Sequence, residues 1–165
     1  MTIEIPNHIY SDELMDHMRE IPELRATLGC TQSPPHKYDV FSHTLQVVNY
    51  VRNFNDIRSY GYVGEERPNG GLTRGEILEL AAWLHDIGKP ERRIENEHGK
   101  VSFHDHPEVG ANKVHAICKR IGGINFDDMV AIRLLVQLHL RPAELSREWD
   151  VSGGRMIRPT DHALR

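Results

Sequence analysis

His85 and Asp86 are adjacent, and together they offer an imidazole nitrogen and a carboxylate, the mixed ligands suited to Fe, Mn, Co, Ni or Zn. They follow an apolar turn of Ala81, Ala82 and Leu84 at the end of an amphipathic stretch. Neighbouring helical residues project about 100° apart, so the two need not serve one ion alike. A carboxylate has two oxygens and can bridge two ions. Taken alone, the pair reads more readily as structure, with Asp86 capping a turn and His85 packed in a core.

Three further histidines change that balance. His43 and His139 each fall on the apolar side of a predicted helix, where a solvated imidazole has no place, and His106 follows Phe103 just before a helix start. Burying several imidazoles is unfavourable unless each finds a partner, and one metal ion satisfies several together. On this pattern a metal site and a set of hydrogen-bonded core histidines both stay open. His36, His98, His104 and His115 read as exposed or loop residues. Asn69-Gly70-Gly71 lacks the strand, lysine and hydroxyl of a phosphate loop, and no Ser/His/Asp or Cys/His arrangement stands out.

The elements that must position these residues are helical. Ser11-Asp12-Glu13 suits the start of a short helix, and residues 29–37, with Pro34-Pro35, read as loop. Apolar residues recur at helical spacing from Val40 to Phe54, with His43 one turn before Val47. Residues 55–72 are a long Gly/Pro-rich connection of the kind that is usually functional or mobile. Thr73-Arg74-Gly75-Glu76 matches a capping box, and Ile77, Leu80, Ala81 and Leu84 continue the helix it opens as far as Gly88 and Pro90. Residues 92–103, around Asn96-Glu97-His98-Gly99, suggest a small exposed hairpin. Two more helices are predicted. One runs from Glu108 to Ile121 and stops at Gly122-Gly123; the other runs from Asp127 to Leu140, with Ile132, Leu135, Val136 and His139 on one face. Residues 143–159 look irregular, and a last helix begins at Thr160-Asp161. The expected fold is all-α, a bundle of at least five helices with at most a small β-hairpin.

The chain of 165 residues is the size of one domain, so residues 1–165 are expected to share one core. A formal charge of −4 gives no electrostatic footprint for duplex nucleic acid or an anionic membrane. Cys30 and Cys118 are far apart in no C-x-x-C pattern, as in reduced thiols, and the first residues resemble no signal peptide. No apolar run approaches the roughly 18 residues of a spanning helix. The expected location is the cytoplasm.

His85-Asp86-Ile87-Gly88-Lys89-Pro90 resembles the motif of the HD superfamily of metal-dependent phosphohydrolases. Ile21-Pro22-Glu23-Leu24, Tyr38-Asp39-Val40-Phe41-Ser42-His43-Thr44-Leu45, Val101-Ser102-Phe103-His104-Asp105-His106 with Val109-Gly110-Ala111, and Leu135-Val136-Gln137-Leu138-His139-Leu140-Arg141-Pro142 resemble its other motifs in order. The pattern is most similar to the HD domain of bacterial tRNA nucleotidyltransferases and their poly(A) polymerase relatives, and the likeness runs over roughly residues 21–165, including Pro159 to Arg165. It implies that His43, His85 and Asp86 are shared metal ligands, and that His106 and His139 serve where a second ion binds. The superfamily closes its first site with a later aspartate. Asp161 is the candidate for it, Asp150 beside Trp149 a poorer one, and the match is weakest here.

The resemblance also implies one or two divalent ions, with Fe, Mn, Co, Ni, Zn and Mg not distinguished, and hydrolysis of a phosphate ester. Nucleotides, cyclic phosphates and dinucleoside polyphosphates are the substrate class it suggests. Asp86 would hold metal and orient the nucleophile. Lys89 and Arg141 each follow a ligand motif closely, which puts a cation within reach of a bound phosphate. A catalytically inactive RNA-binding or regulatory HD module is the alternative. The sequence carries no Asp-x-Asp for nucleotide addition, and the full set of His43, His85, Asp86, His106 and His139 weighs against an inactive module. A purely structural metal would favour a Cys-rich site instead.

Overall fold

The computed structural model describes residues 21–34, 36–56 and 70–142. The predicted helix at Ser11, most of the 55–72 connection, the irregular stretch from 143, and Asp150 and Asp161 lie outside these residues. Among the described residues the chain is helical with one small hairpin. In order come α1 (Pro22–Arg25), α2 (Val40–Asp56), α3 (Arg74–Leu84), α4 (Lys89–Arg92), β1 (Ile94–Glu95), β2 (Val101–Ser102), α5 (His106–Ile121) and α6 (Phe126–Leu138). The expected all-α class therefore holds, with the hairpin where it was expected. β1 and β2 are antiparallel and pair Ile94 with Ser102 and Glu95 with Val101. No helix among the described residues is long and apolar enough to cross a membrane.

Side chains fix where the long helices begin. Asp39 accepts from the Ser42 backbone N–H at 2.7 Å and from that of Gly29 at 2.8 Å, capping α2 while closing the loop before it. The Thr73–Glu76 capping box forms in both directions, at 3.1 and 2.7 Å. Asn125 caps α6 through the Asp128 N–H, and the buried Asp128 carboxylate accepts from Leu72 N at 2.8 Å. One acid thus ties the start of α3 to the start of α6.

α3 packs against both α2 and α6, and α6 packs against α5. Trp83, Leu84, Ile87, Val48, Ile117, Ile132 and Val136 fill the space between them. Three expectations are refined. The helix expected to stop at Gly88 and Pro90 ends at Leu84, and Pro90 stands in the first turn of α4, where its missing N–H has no helical partner to lose. α5 opens at His106, two residues before Glu108, with Pro107 again in the first turn. Leu135 is 41% exposed, because the buried seam of α6 runs through Asp128, Ile132 and Val136 and leaves Leu135 at its edge.

Gly88 brings the α3 end onto α5. A Cβ there would lie 2.1 Å from the His106 carbonyl oxygen and 2.7 Å from Gly110 N. Only a bare backbone permits that approach, and it presses the His85-Asp86 turn against the start of α5.

Candidate metal centre

Each site histidine comes from a different element. His43 is on the first turn of α2, His85 caps the end of α3, His106 opens α5, and His139 caps the end of α6. Asp86 follows α3 and is 1% exposed, so the helix ends are gathered around a buried carboxylate. Its Oδ2 lies 3.1 Å from His85 Nε2 and 3.7 Å from His43 Nε2. Its Oδ1 lies 3.2 Å from His106 Nε2 and 3.6 Å from His139 Nε2. Two groups of potential ligand atoms result, His43/His85/Asp86 and Asp86/His106/His139, with Asp86 common to both.

Backbone carbonyls orient three of the rings in the same way. Nδ1 of His85 is 2.7 Å from Ala82 O, Nδ1 of His106 is 2.7 Å from Phe103 O, and Nδ1 of His139 is 2.7 Å from Val136 O. A carbonyl only accepts, so each Nδ1 carries a proton and each ring presents its Nε2 toward Asp86. Asp86 Oδ1 is buried and without a hydrogen bond among the described residues. A buried carboxylate oxygen without a partner is unfavourable on its own, and a divalent cation held with the surrounding imidazole nitrogens would supply one. The donor set of imidazole and carboxylate suits Fe, Mn, Co, Ni or Zn, so the residues present fit such an ion.

Electrostatics point the same way. Burial pushes His43 down to about 4, with His85 and Lys89 adding to the effect and Asp86 opposing it. Burial likewise takes His139 to about 4, although its bond to Val136 O opposes the shift. Both rings are therefore neutral near pH 7, with lone pairs available for coordination. Burial alone would raise Asp86, but His85, His106 and the Lys89 ammonium outweigh it and hold the carboxyl well below its usual range.

Lys89 belongs to this site. It is 6% exposed, and its Nζ donates at 2.7 Å to Asp86 Oδ2 and at 2.7 Å to Gln32 Oε1. The ammonium also lies 5.4 Å from the centre of the Phe103 ring. A cavity of about 270 Å³ opens beside the carboxylate. His43, His85, Asp86, His106, His139 and Lys89 line it, with His36, Phe103, His104 and Leu140 toward its rim. Arg141 is not part of that lining; it borders a neighbouring apolar groove with Ile77, Leu78, Leu134, Leu135 and Leu138, to which His139 also contributes. Asp161 and Asp150 lie outside the described residues.

Sequence reasoning passed over Gln32 and the cavity-side place of His36. His36 is exposed, as expected of a loop residue, yet its ring stands edge-on to His43 at 5.5 Å between centroids. Neither residue lies on a periodic element, so neither carried a pattern to detect.

The family described as HD domain matches residues 40–163. An A-adding tRNA nucleotidyltransferase of Deinococcus radiodurans is 32% identical over 102 residues, 61% of this chain and 20% of that protein. A bifunctional uridylyltransferase/uridylyl-removing enzyme of Pseudomonas fluorescens is 30% identical over 145 residues, 84% of this chain and 14% of its own length. The corresponding protein of Pseudomonas entomophila is 30% identical over 152 residues, 88% of this chain and 15% of its own. The chain thus spans a fifth or less of these curated relatives.

Proposed function

The chain belongs to the HD domain family, and from that premise we propose that it is a metal-dependent phosphohydrolase acting on a nucleotide-class phosphate ester. The observation that carries this is the arrangement at Asp86, where the Nε2 atoms of His106 and His139 face the buried Oδ1, which has no hydrogen bond among the described residues, and those of His85 and His43 face Oδ2. His43, His85 and Asp86 would hold one ion, and Asp86, His106 and His139 a second. Asp161 is the proposed closing ligand of the first site. Residues 1–165 are proposed to form one domain.

A divalent ion bound there supplies Lewis acidity and lowers the pKa of a water toward neutrality. The chain's own residues supply the rest. Asp86 orients the water through whichever oxygen lone pair remains free. Lys89 holds the phosphoryl oxygens and offsets the charge that grows on them during in-line displacement. A protonated amine has no lone pair, so Lys89 acts on substrate and is not a ligand. Phe103 and Leu140 give the rim an apolar surface suited to the sugar or base of a nucleotide, and a cavity of about 270 Å³ admits one such group rather than a duplex. The Pseudomonas relatives are named for uridylyl removal, which fits release of a nucleotidyl group.

Metal analysis of protein purified without chelator, followed by a screen of nucleotides, cyclic nucleotides and dinucleoside polyphosphates, tests the proposal. Bound transition metal and release of phosphate or nucleotide are expected. Metal-loaded protein that turns over no phosphate ester, yet binds RNA, would replace it with the inactive-module alternative.

A further inference from the structure

Resting on the phosphohydrolase reading, we infer that Gln32 is a positioning residue for that reaction, holding the Lys89 ammonium in place as the phosphate-binding group of the cavity. Gln32 Oε1 accepts from Lys89 Nζ at 2.7 Å, and the same ammonium donates to Asp86 Oδ2 at 2.7 Å. An ammonium has three N–H bonds. Two are committed to Gln32 and Asp86, and the third is left for the cavity that Lys89 lines.

Gln32 is itself fixed. Its Nε2 donates to Tyr38 O at 3.2 Å, across a loop closed by Val40 N to Cys30 O at 3.0 Å and by Gly29 N to Asp39 Oδ2 at 2.8 Å. The residues on either side of it are tied to the hairpin region. Ser33 Oγ accepts from Val101 N at 2.6 Å, and Thr31 Oγ1 accepts from Arg93 Nη2 at 3.1 Å. The amide is therefore presented by a braced loop rather than a free one.

The consequence is specific to the site. A lysine stem has many rotamers, and with Asp86 as its sole partner the ammonium would be free to swing around that carboxylate. A second, neutral acceptor fixes the direction of the ammonium without cancelling its charge. Gln32 is suited to this where glutamate is not, since a carboxylate would fix the ammonium and neutralise it.

The test uses the manganese-loaded 165-residue chain, with inorganic phosphate as the probe, read by titration calorimetry. Gln32→Met keeps the side-chain length and removes the acceptor. It is expected to retain wild-type manganese stoichiometry while binding phosphate about tenfold more weakly. Gln32→Met/Lys89→Met should bind phosphate no more weakly than Lys89→Met alone, because Gln32 acts only through the ammonium. Gln32→Glu should also keep its manganese and lose phosphate affinity. If Gln32→Met fails to fold, Gln32→Asn, one methylene too short, gives the same comparison. Unchanged phosphate binding in Gln32→Met, or losses that add fully in the double variant, would overturn the inference while leaving an active wild type as a phosphohydrolase. A manganese-loaded wild type that neither binds phosphate nor cleaves an ester would instead remove the underlying function.

Discussion

His106 Nε2 and His139 Nε2 face each other at 3.3 Å, while the Nδ1 of each ring is engaged by a carbonyl of its own chain segment. With both Nδ1 atoms facing a carbonyl, a ring that carries a single proton has none on Nε2 to give the other. Two acceptors at hydrogen-bond distance repel unless a cation lies between them or one ring takes up a second proton. His139 has been pushed down to about 4, so protonation is not its state near pH 7. A divalent ion held by the two rings would remove that conflict, with Asp86 Oδ1 as the third donor.

The first prediction follows from Asp86 being common to both ligand groups. Asp86→Ala should abolish metal binding altogether. His106→Ala or His139→Ala should lose only the metal held with them and keep the ion bound by His43, His85 and Asp86. Elemental analysis of each purified variant gives the stoichiometry. Full metal content in Asp86→Ala would move the site elsewhere. In the same series, loss of metal from Asp161→Ala would identify Asp161 as the closing ligand, and full retention would exclude it.

Lys89→Ala should separate binding of metal from catalysis. The ammonium is buried against Asp86 but coordinates nothing, so metal content should be retained. Loss of one charge-assisted contact to a transition state costs about 2–4 kcal/mol, or roughly 30- to 1,000-fold in kcat/KM. Steady-state kinetics on a confirmed ester measure it. Equal rates for the variant and wild type would return Lys89 to a structural role.

Acid should destabilise the metal-free protein. His43 and His139 are held at about 4 when folded, against an ordinary 6.5. Between those values the unfolded chain binds more protons than the folded one, so stability falls as pH drops from about 6.5 toward 4. Asp86, held well below its usual range, adds a loss in the same direction at lower pH, as the unfolded carboxyl protonates first. Thermal melts of chelator-treated protein from pH 7.5 to 4.5 should show a falling Tm. Saturating metal should oppose that fall, since it binds the same neutral rings. A Tm that rises on acidification would contradict the buried, neutral state of both rings.

Much of this arrangement was legible in the sequence because it rests on periodicity and local chemistry. The Thr73–Glu76 capping box, the α2 spacing that buries Phe41, Leu45 and Val48, and the stop at Gly122 are all local signals, and they appear as expected. The histidines could be read because their places on apolar faces were anomalous. What stayed hidden depends on contacts across the fold. Gln32 meets Lys89 over a separation of 57 residues, and nothing near Gln32 in sequence announces it. Arg141, read from its nearness in sequence to His139, shares the apolar groove with His139 and does not line the cavity at Asp86. Leu135 was read onto one face with Ile132, Val136 and His139, although the buried seam it borders is narrower.

Gly88→Ala should damage the site without touching a ligand. The added Cβ would stand 2.1 Å from His106 O and 2.7 Å from Gly110 N, both backbone atoms that cannot rotate away. The α3 end and the start of α5 must then separate. Overpacking of this kind costs typically about 1–3 kcal/mol, enough to lower Tm by several degrees in a domain of this size. The displacement is directional, since it moves Asp86 away from His106 more than from His85, its neighbour in sequence. Metal held by Asp86, His106 and His139 should therefore weaken more than metal held by His43, His85 and Asp86. Calorimetric titration of the chelated variant with manganese would resolve the two sites. Equal weakening at both would mean that the close approach at Gly88 supports the fold as a whole and does not set the distance between the two halves of the centre.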